Sequence, residues 1–295
     1  MTALDLVRLP PLMQMTRGAP QVTIGLIDGP VRSDHPDLAH ARIRPVSDAA
    51  GAACSRAGSE ACRHGTFVCG ILCAERGSVA PAICPECTVL VRPVFAEAPP
   101  DGETSPTTTP GELAAAILDC IGAGARIINL SLALSRPTPN GEPALSEALN
   151  LAARRDVIVV AAAGNQGLVG SSAPTRHPWA IPVAGCDLQG RPAGHTNLGG
   201  TLGRRGLRAP AEGVTSLGSD GRPATFGGTS VAAPFVTGTI ALLWSEFPDA
   251  TAAAIKAAVA PTAAAGRTSV VPPLLDAWRA FNVLKTTQTA RRSVA

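Results

Sequence analysis

The sequence contains no tyrosine, and aromatic residues occupy only 3% of its 295 positions. Proteins that bind single-stranded nucleic acid usually stack bases on aromatic side chains, so this composition argues against that function. Charged residues are also few, at 16%, and the formal net charge is +3. Basic residues form short pairs, as at Arg154–Arg155 and Arg204–Arg205, which a solvated surface explains. We therefore expect no nucleic-acid partner.

Long hydrophobic runs are missing as well. No stretch reaches the ~18 apolar residues that a membrane-spanning helix needs. Residues 1–14 lack the basic start and continuous apolar centre of a secretory signal, and the 27 residues before Asp28 are too few for a folded pro-segment. These features predict a cytoplasmic protein without a membrane partner, unless a signal or pro-segment was removed.

The hydrophobic content of 45% is ample for one large core. Short runs rich in Val and Ile predict buried strands at 22–28, 89–94, 126–130, 157–162 and 181–185. Helices are predicted between and after them, at 110–122 (with a capping box at Thr109), 143–155, 230–247, 252–259 and 274–284. This alternation predicts an α/β fold, with a mostly parallel central sheet and helices on both faces.

The chain shows one domain and no internal repeat. We place that domain at residues 20–284, after an N-terminal arm of residues 1–19. Residues 285–295 turn polar and are expected to form a fraying tail. Residues 96–110, rich in Pro, Thr and Gly, are the expected flexible loop.

Three polar residues stand at the carboxyl ends of predicted strands or just beyond, where active sites of parallel sheets gather. Asp28 ends the first strand, Asn165 follows the fourth, and Ser230 opens the long helix. A serine hydroxyl needs a base to become a nucleophile, and His64, followed by Gly65, is the best-placed imidazole. Each residue alone has an ordinary structural explanation, as a turn, a helix cap or a core histidine. Their occurrence together favours catalysis.

With these motifs in place, the chain resembles the subtilisin-like serine proteases from about residue 20 to residue 284. Gly-Thr-Ser-Val-Ala-Ala-Pro at 228–234 resembles the nucleophile signature, and His-Gly-Thr-x-Val-x-Gly at 64–70 the histidine signature. The order Asp, His, Ser is also that of subtilisin. The resemblance implies a three-layer subtilisin-like fold and peptide-bond hydrolysis through an acyl-enzyme. The implied triad is Asp28, His64 and Ser230, with Asn165 in the oxyanion hole.

Two further segments resemble the substrate-binding parts of the family, 128–133 and 162–165. They imply that substrate contacts Ser131, Leu132, Ala133, Ala163 and Gly164. A peptide or protein substrate is expected, and no cofactor is required. Many family members bind calcium, but the sequence assigns no calcium ligands here, and it gives no oligomeric state.

The chain departs from the family at two positions. Asp28 is followed by Gly29-Pro30-Val31, where Ser-Gly or Thr-Gly is usual, so a hydroxyl that could support the aspartate is missing. Phe235 replaces the usual histidine five residues after the nucleophile. The Asp-Gly-Pro-Val form resembles the branch that contains cyanobactin maturation proteases, which cut ribosomally made precursor peptides. The alternatives are a general intracellular protease and a catalytically weak subtilase that binds peptides as a scaffold.

Eight cysteines are many for a cytosolic chain. Cys69, Cys73, Cys120 and Cys186 lie in apolar settings and are expected to be buried free thiols. The other four, Cys54, Cys62, Cys84 and Cys87, lie in predicted loops that we expect to meet at one sheet edge. They can bind zinc, form disulfides or stay unpaired. The C-x₇-C spacing of the first pair favours a disulfide over zinc. A redox role for the C-x-x-C pair is disfavoured because that pair precedes a strand.

Overall fold

The computed structural model describes residues 1–46, 51–98, 108–132, 142–260 and 269–292. Its centre is a seven-stranded sheet in the order β2-β3-β1-β4-β5-β6-β7, in which every neighbouring pair is parallel. A separate antiparallel hairpin joins β8 and β9. The strands are β1 Thr23–Asp28, β2 Arg42–Pro45, β3 Thr88–Pro93, β4 Ile127–Leu130, β5 Ile158–Ala162, β6 Ile181–Cys186, β7 Leu207–Pro210, β8 Val214–Leu217 and β9 Pro223–Phe226.

Helices cover both faces of the sheet, which confirms the predicted fold class. One core lies between the sheet and α3 and α8, and a second lies between the sheet and α4 and α5. Successive residues of β1 show the two layers, because Leu26 belongs to the first core and Ile27 to the second. The helices are α1 Ala3–Leu6, α2 Pro10–Met15, α3 Glu60–Cys73, α4 Pro110–Gly122, α5 Pro143–Arg154, α6 Ala173–Arg176, α7 Gly200–Arg205, α8 Thr229–Glu246, α9 Ala252–Val259 and α10 Ala277–Arg292.

The long helix α8 runs through the first core. All its residues from Val231 to Trp244 are buried, which explains why its sequence is apolar on every side. It contacts five strands of the central sheet, β1, β4, β5, β6 and β7. The residue that opens α8 is therefore held against the sheet by nearly the whole helix.

The last helix extends further than the sequence predicted. The last helix was predicted at 274–284, but α10 ends at Arg292, so residues 285–292 are helical. In this segment the hydroxyls of Thr286 and Thr287 donate to the carbonyls four residues back. In the N-terminal arm, Leu9 and Leu12 are fully buried, and the backbone of Val7 accepts a hydrogen bond from Ala277.

Candidate active site

Asp28 lies at the carboxyl end of β1, between β3 and β4 in the sheet, and is completely buried. The backbone N–H of Gly29 donates a 2.7 Å hydrogen bond to its Oδ1. Its Oδ2 has no hydrogen-bond partner among the described residues. Because residue 29 is glycine, it offers no hydroxyl that could donate a hydrogen bond to the unpartnered Oδ2 of Asp28.

Helix α3 lies directly against the chain that leaves β1. A Cβ added to Gly29 would lie 2.0 Å from the carbonyl oxygen of Ala61, and one added to Gly65 would lie 2.5 Å from the carbonyl oxygens of Gly29 and Pro30. Glycine is therefore needed at both positions for the two backbones to approach this closely. The approach explains why the chain carries Gly29 where relatives carry a hydroxyl residue.

This packing brings His64 into contact with Asp28. The His64 Nδ1 lies 2.7 Å from Asp28 Oδ1, and its Nε2 lies 2.9 Å from Ser230 Oγ. With the proton on Nδ1, that nitrogen donates to the carboxylate, and Nε2 accepts from the serine hydroxyl. The three residues predicted as a triad therefore form one continuous hydrogen-bonded chain.

The surroundings of His64 adjust its basicity. Burial on its own lowers the pKa of His64, but the charge of Asp28, their hydrogen bond and the charge of Glu60 raise it, and the net pKa lies above the ordinary 6.5. The ring stacks on Phe226 at 6.4 Å between centroids, and the Arg63 guanidinium lies 5.5 Å from that same ring. Because its pKa is raised, His64 holds a proton more readily than a free imidazole does, as a general base requires.

Asn165 lies in the loop after β5, with its side chain exposed next to the start of α8. The backbone N–H of Thr229 donates a 2.8 Å hydrogen bond to its Oδ1, which fixes the orientation of the amide. The Nδ2 group is left to donate elsewhere. The N–H of Ser230 lies in the first turn of α8, where N–H groups have no partner within the helix. These two donors suit an oxyanion that forms beside Ser230 Oγ.

The segment after β4 contacts the backbone of Ser230. Ser131 is 3% exposed, and its hydroxyl donates a 3.0 Å hydrogen bond to the Ser230 carbonyl. Behind it, Asn129 Nδ2 donates to Ser131 Oγ at 2.6 Å, and Thr237 Oγ1 donates to Asn129 Oδ1 at 2.7 Å. Ser131 was predicted to contact substrate, and the structure gives its hydroxyl a place in this buried network.

The other residues predicted to contact substrate lie nearby or outside the described part of the chain. Leu132 is 8% exposed beside Ser131, and Ala133 is not among the described residues. Ala163 is buried, while Gly164 has a positive φ of 102° and donates its N–H to Thr229 Oγ1 at 3.0 Å. The loop that carries Asn165 is therefore hydrogen-bonded to α8 one residue before Ser230.

Sequence reasoning did not single out the exposed apolar residues that follow Asn165. Leu168 is 55% exposed and Val169 is 78% exposed. Asn197 holds this loop in place, since its Oδ1 accepts from the N–H groups of Gln166 and Leu168. An apolar pair three and four residues after Asn165 was the available signal, and it forms an exposed apolar rim on the loop that carries Asn165.

The structure corrects the prediction that four loop cysteines meet at one sheet edge. Cys54 and Cys62 form a disulfide, as their spacing favoured, with their Cα atoms 5.6 Å apart. Cys84 and Cys87 are buried free thiols at the opposite end of α3, where the Cys84 N–H donates to the Leu72 carbonyl. Cysteines 69, 73, 120 and 186 are buried and free, as predicted. Burial raises the pKa of Cys120 and Cys186 to about 12, so both thiols stay protonated.

Among the described residues, the one group of three or more cysteine, histidine or carboxylate side chains close enough to share a metal is Cys54, Cys62 and Glu97. Two sulfur ligands do not suit calcium, which takes oxygen ligands. The described residues thus provide no calcium site of that kind, and calcium ligands stay unassigned. None of the described helices combines the length and the apolar character that a bilayer crossing requires.

Curated bacterial proteases are similar to most of this chain. Subtilisin amylosacchariticus of Bacillus subtilis subsp. amylosacchariticus is 27% identical over 263 residues, and the match covers 85% of this chain. The thermophilic serine proteinase of Bacillus sp. strain AK1 is 30% identical over 234 residues, covering 79% of this chain. The chain spans 62% of the length of the first relative and 54% of the second.

Two solved structures share the fold over nearly their whole length. The prenylagaramide maturation protease PagA is 26% identical with a TM-score of 0.80, and the match covers 94% of this chain and 98% of PagA. The patellamide maturation protease PatA is 27% identical with a TM-score of 0.73, covering 91% of this chain and 98% of PatA. The sequence pattern of the Subtilase family matches residues 19–286. The chain therefore belongs to the subtilase family.

Proposed function

We propose that this protein is a serine endopeptidase in which Ser230 is the nucleophile. The observation that carries the proposal is the unbroken hydrogen-bonded chain from buried Asp28 through His64 to Ser230 Oγ. A buried carboxylate on Nδ1 holds the imidazole in the tautomer whose Nε2 accepts the serine proton. Membership of the subtilase family supports the same activity.

The residues divide the reaction between them. His64 takes the hydroxyl proton as Ser230 Oγ attacks the substrate carbonyl, and then gives that proton to the leaving amine. Asp28 stabilises the imidazolium that forms in between. The Asn165 amide and the Ser230 N–H donate to the oxyanion of the tetrahedral intermediate. Water, activated by His64, then hydrolyses the acyl-enzyme.

For the substrate, we propose a short extended precursor peptide rather than folded protein. The Asp-Gly-Pro-Val segment at 28–31 supports this choice, and so does similarity to PagA and PatA, both named as maturation proteases. The exposed apolar rim at Leu168 and Val169 offers contact for an apolar substrate side chain. The alternatives are a general protease and a peptide-binding scaffold. A cytoplasmic location stays a prediction.

A fluorophosphonate probe tests the activity directly, because it reacts with an activated serine. We expect labelling of the wild-type protein and none of Ser230→Ala, with a loss on the order of 10⁴-fold or more in kcat. Equal labelling of both proteins would contradict the proposal. Absence of labelling in both would also contradict it and would favour a peptide-binding scaffold.

A peptide-library digest read by mass spectrometry then tests the substrate class. Equal cleavage of casein and of every peptide, without site preference, would favour a general protease.

A further inference from the structure

A second group of reactive side chains lies at the start of α3, close to the triad. The two sulfur atoms of Cys54 and Cys62 and a carboxylate oxygen of Glu97 all lie within 4.8 Å of one another. Cys62 is buried in the first turn of α3, whereas Cys54 and Glu97 are half-buried. The group is therefore open to solvent on one side.

Glu97 is held rigidly in this group. Its carboxylate accepts hydrogen bonds from the N–H groups of Ser55 and Arg56, at 3.0 Å and 2.8 Å, and from the hydroxyls of Ser55 and Ser59. No lysine or arginine forms an ion pair with it among the described residues. In this position a carboxylate oxygen of Glu97 is a third ligand atom for a metal held by the two sulfurs.

We propose that Cys54, Cys62 and Glu97 form a zinc(II) site when the Cys54–Cys62 disulfide is reduced. Two thiolates and a carboxylate select zinc over magnesium and calcium, and zinc accepts water as its fourth ligand at an open position. Tetrahedral zinc with Zn–S bonds near ~2.3 Å places its two sulfurs roughly 3.8 Å apart. The Cα separation of 5.6 Å lets side-chain rotation bring the sulfurs to that distance without displacing the backbone.

Conversion of the disulfide into the zinc site requires two chemical steps, reduction by an external thiol and exchange of protons for zinc. Two equivalents of a low-molecular-weight thiol reduce the disulfide to two cysteine thiols and become one oxidised disulfide. Zinc then replaces the two thiol protons, which pass to solvent. The same loop is thus cross-linked to α3 in both states, by a covalent bond in an oxidising medium and by zinc in a reducing one.

The cross-link bears on the catalytic histidine because of its position. Cys62 precedes His64 by two residues. The carbonyl of Ala61, the residue before Cys62, lies against Gly29, which follows Asp28. Cys54 lies beside the same chain, with its sulfur 3.5 Å from the Pro30 carbonyl. Either cross-link therefore holds the first turn of α3 against the segment that follows Asp28.

Zinc content measured on the full chain tests the proposal without any reference to peptidase activity. We expect about one zinc per chain after reduction, incubation with zinc chloride and removal of unbound metal, and none in the oxidised protein. Cys54→Ser should weaken zinc binding by more than ~100-fold and Glu97→Gln by at least ~10-fold. Cys186→Ser, which changes a buried thiol elsewhere, is the matched control and should bind as the wild type does. Cobalt(II) in place of zinc should show thiolate charge-transfer absorption that disappears in Cys54→Ser.

Two results would overturn the assignment. The first is absence of zinc from reduced wild-type protein whose circular dichroism shows that it is folded. The second is zinc that persists in Cys54→Ser but is lost in Cys84→Ser, because the metal would then occupy the buried thiols at the other end of α3. A serine probe applied to the same samples separates this test from the proposed peptidase activity, since labelling of Ser230 requires no metal.

Discussion

The hydroxyl of Ser131 donates to the carbonyl of Ser230, at 3.0 Å, in place of a helical hydrogen bond that the sequence rules out. In a regular helix the carbonyl of Ser230 would accept a hydrogen bond from the N–H of the residue four positions later, which here is Pro234. Proline has no N–H, so the first turn of α8 depends on a donor from another element. Asn129 and Thr237 hold that donor in place.

Ser131→Ala should therefore act through the nucleophile. It leaves the Ser230 carbonyl without its hydroxyl donor, a loss of about 1–3 kcal/mol in the free energy of unfolding. We expect kcat to fall by roughly 10-fold with a smaller change in KM, since the backbone that places Ser230 is loosened. Ser131→Thr keeps the hydroxyl and should recover most of kcat. Steady-state kinetics and urea unfolding measure both effects; a change in KM alone would make Ser131 a substrate contact instead.

Asn165→Leu should remove one oxyanion donor while keeping the size of the side chain. We expect kcat to fall by about 10²–10³-fold with little change in KM, because the amide acts on charge that develops in the transition state. The substitution also removes the acceptor for the Thr229 N–H. Asn165→Asp keeps an acceptor there but loses the amide N–H donor, so it separates the two roles. If Asn165→Asp retained full kcat, the donor role would be wrong.

The pH dependence of kcat/KM should reflect His64. The base must be neutral to accept the serine proton, and Asp28 and Glu60 raise its pKa despite the opposing effect of burial. Activity should therefore rise with pH through a midpoint above 6.5. Asp28→Asn removes the neighbouring charge, so its residual activity should rise at a lower pH than in the wild type. An identical midpoint in the two proteins would show that Asp28 does not control this titration.

Gly29→Ser restores the residue typical of relatives, yet it should destabilise this protein. The added Cβ would lie 2.0 Å from the carbonyl oxygen of Ala61, a backbone atom of α3 that moves aside only if the helix moves. Overpacking of this kind costs about 1–3 kcal/mol, which thermal or urea unfolding detects. Gly58→Ser is a suitable control, because a Cβ there meets no atom within 4 Å. Higher stability or activity of Gly29→Ser would mean that the missing hydroxyl, rather than the close packing, governs this position.

The sequence pointed to Asp28, His64 and Ser230 because each lies in a local motif next to a strand or helix end, and the structure brings their side chains together. The sequence predicted the central strands for a similar reason, since each is a continuous apolar run. Strand β2 at Arg42–Pro45 was missed because it is a polar edge strand without that pattern. The prediction that the four loop cysteines meet was wrong, because the position of each pair depends on which end of α3 its loop reaches. Tertiary packing decides which end each loop reaches, as the hydrogen bond from the Cys84 N–H to the Leu72 carbonyl shows. The spacing of cysteines along the chain does not reveal that packing.

The triad joins positions that are distant along the chain. His64 is 36 residues from Asp28 and 166 residues from Ser230. During synthesis, residues 1–229 are made before the nucleophile exists, and α8 must then enter the core against five strands. Parallel sheets with such distant contacts fold slowly and late. The hydrogen-bonded chain from Asp28 to Ser230 is therefore completed only after the main sheet has formed. The proposed peptidase activity would then report that folding is complete.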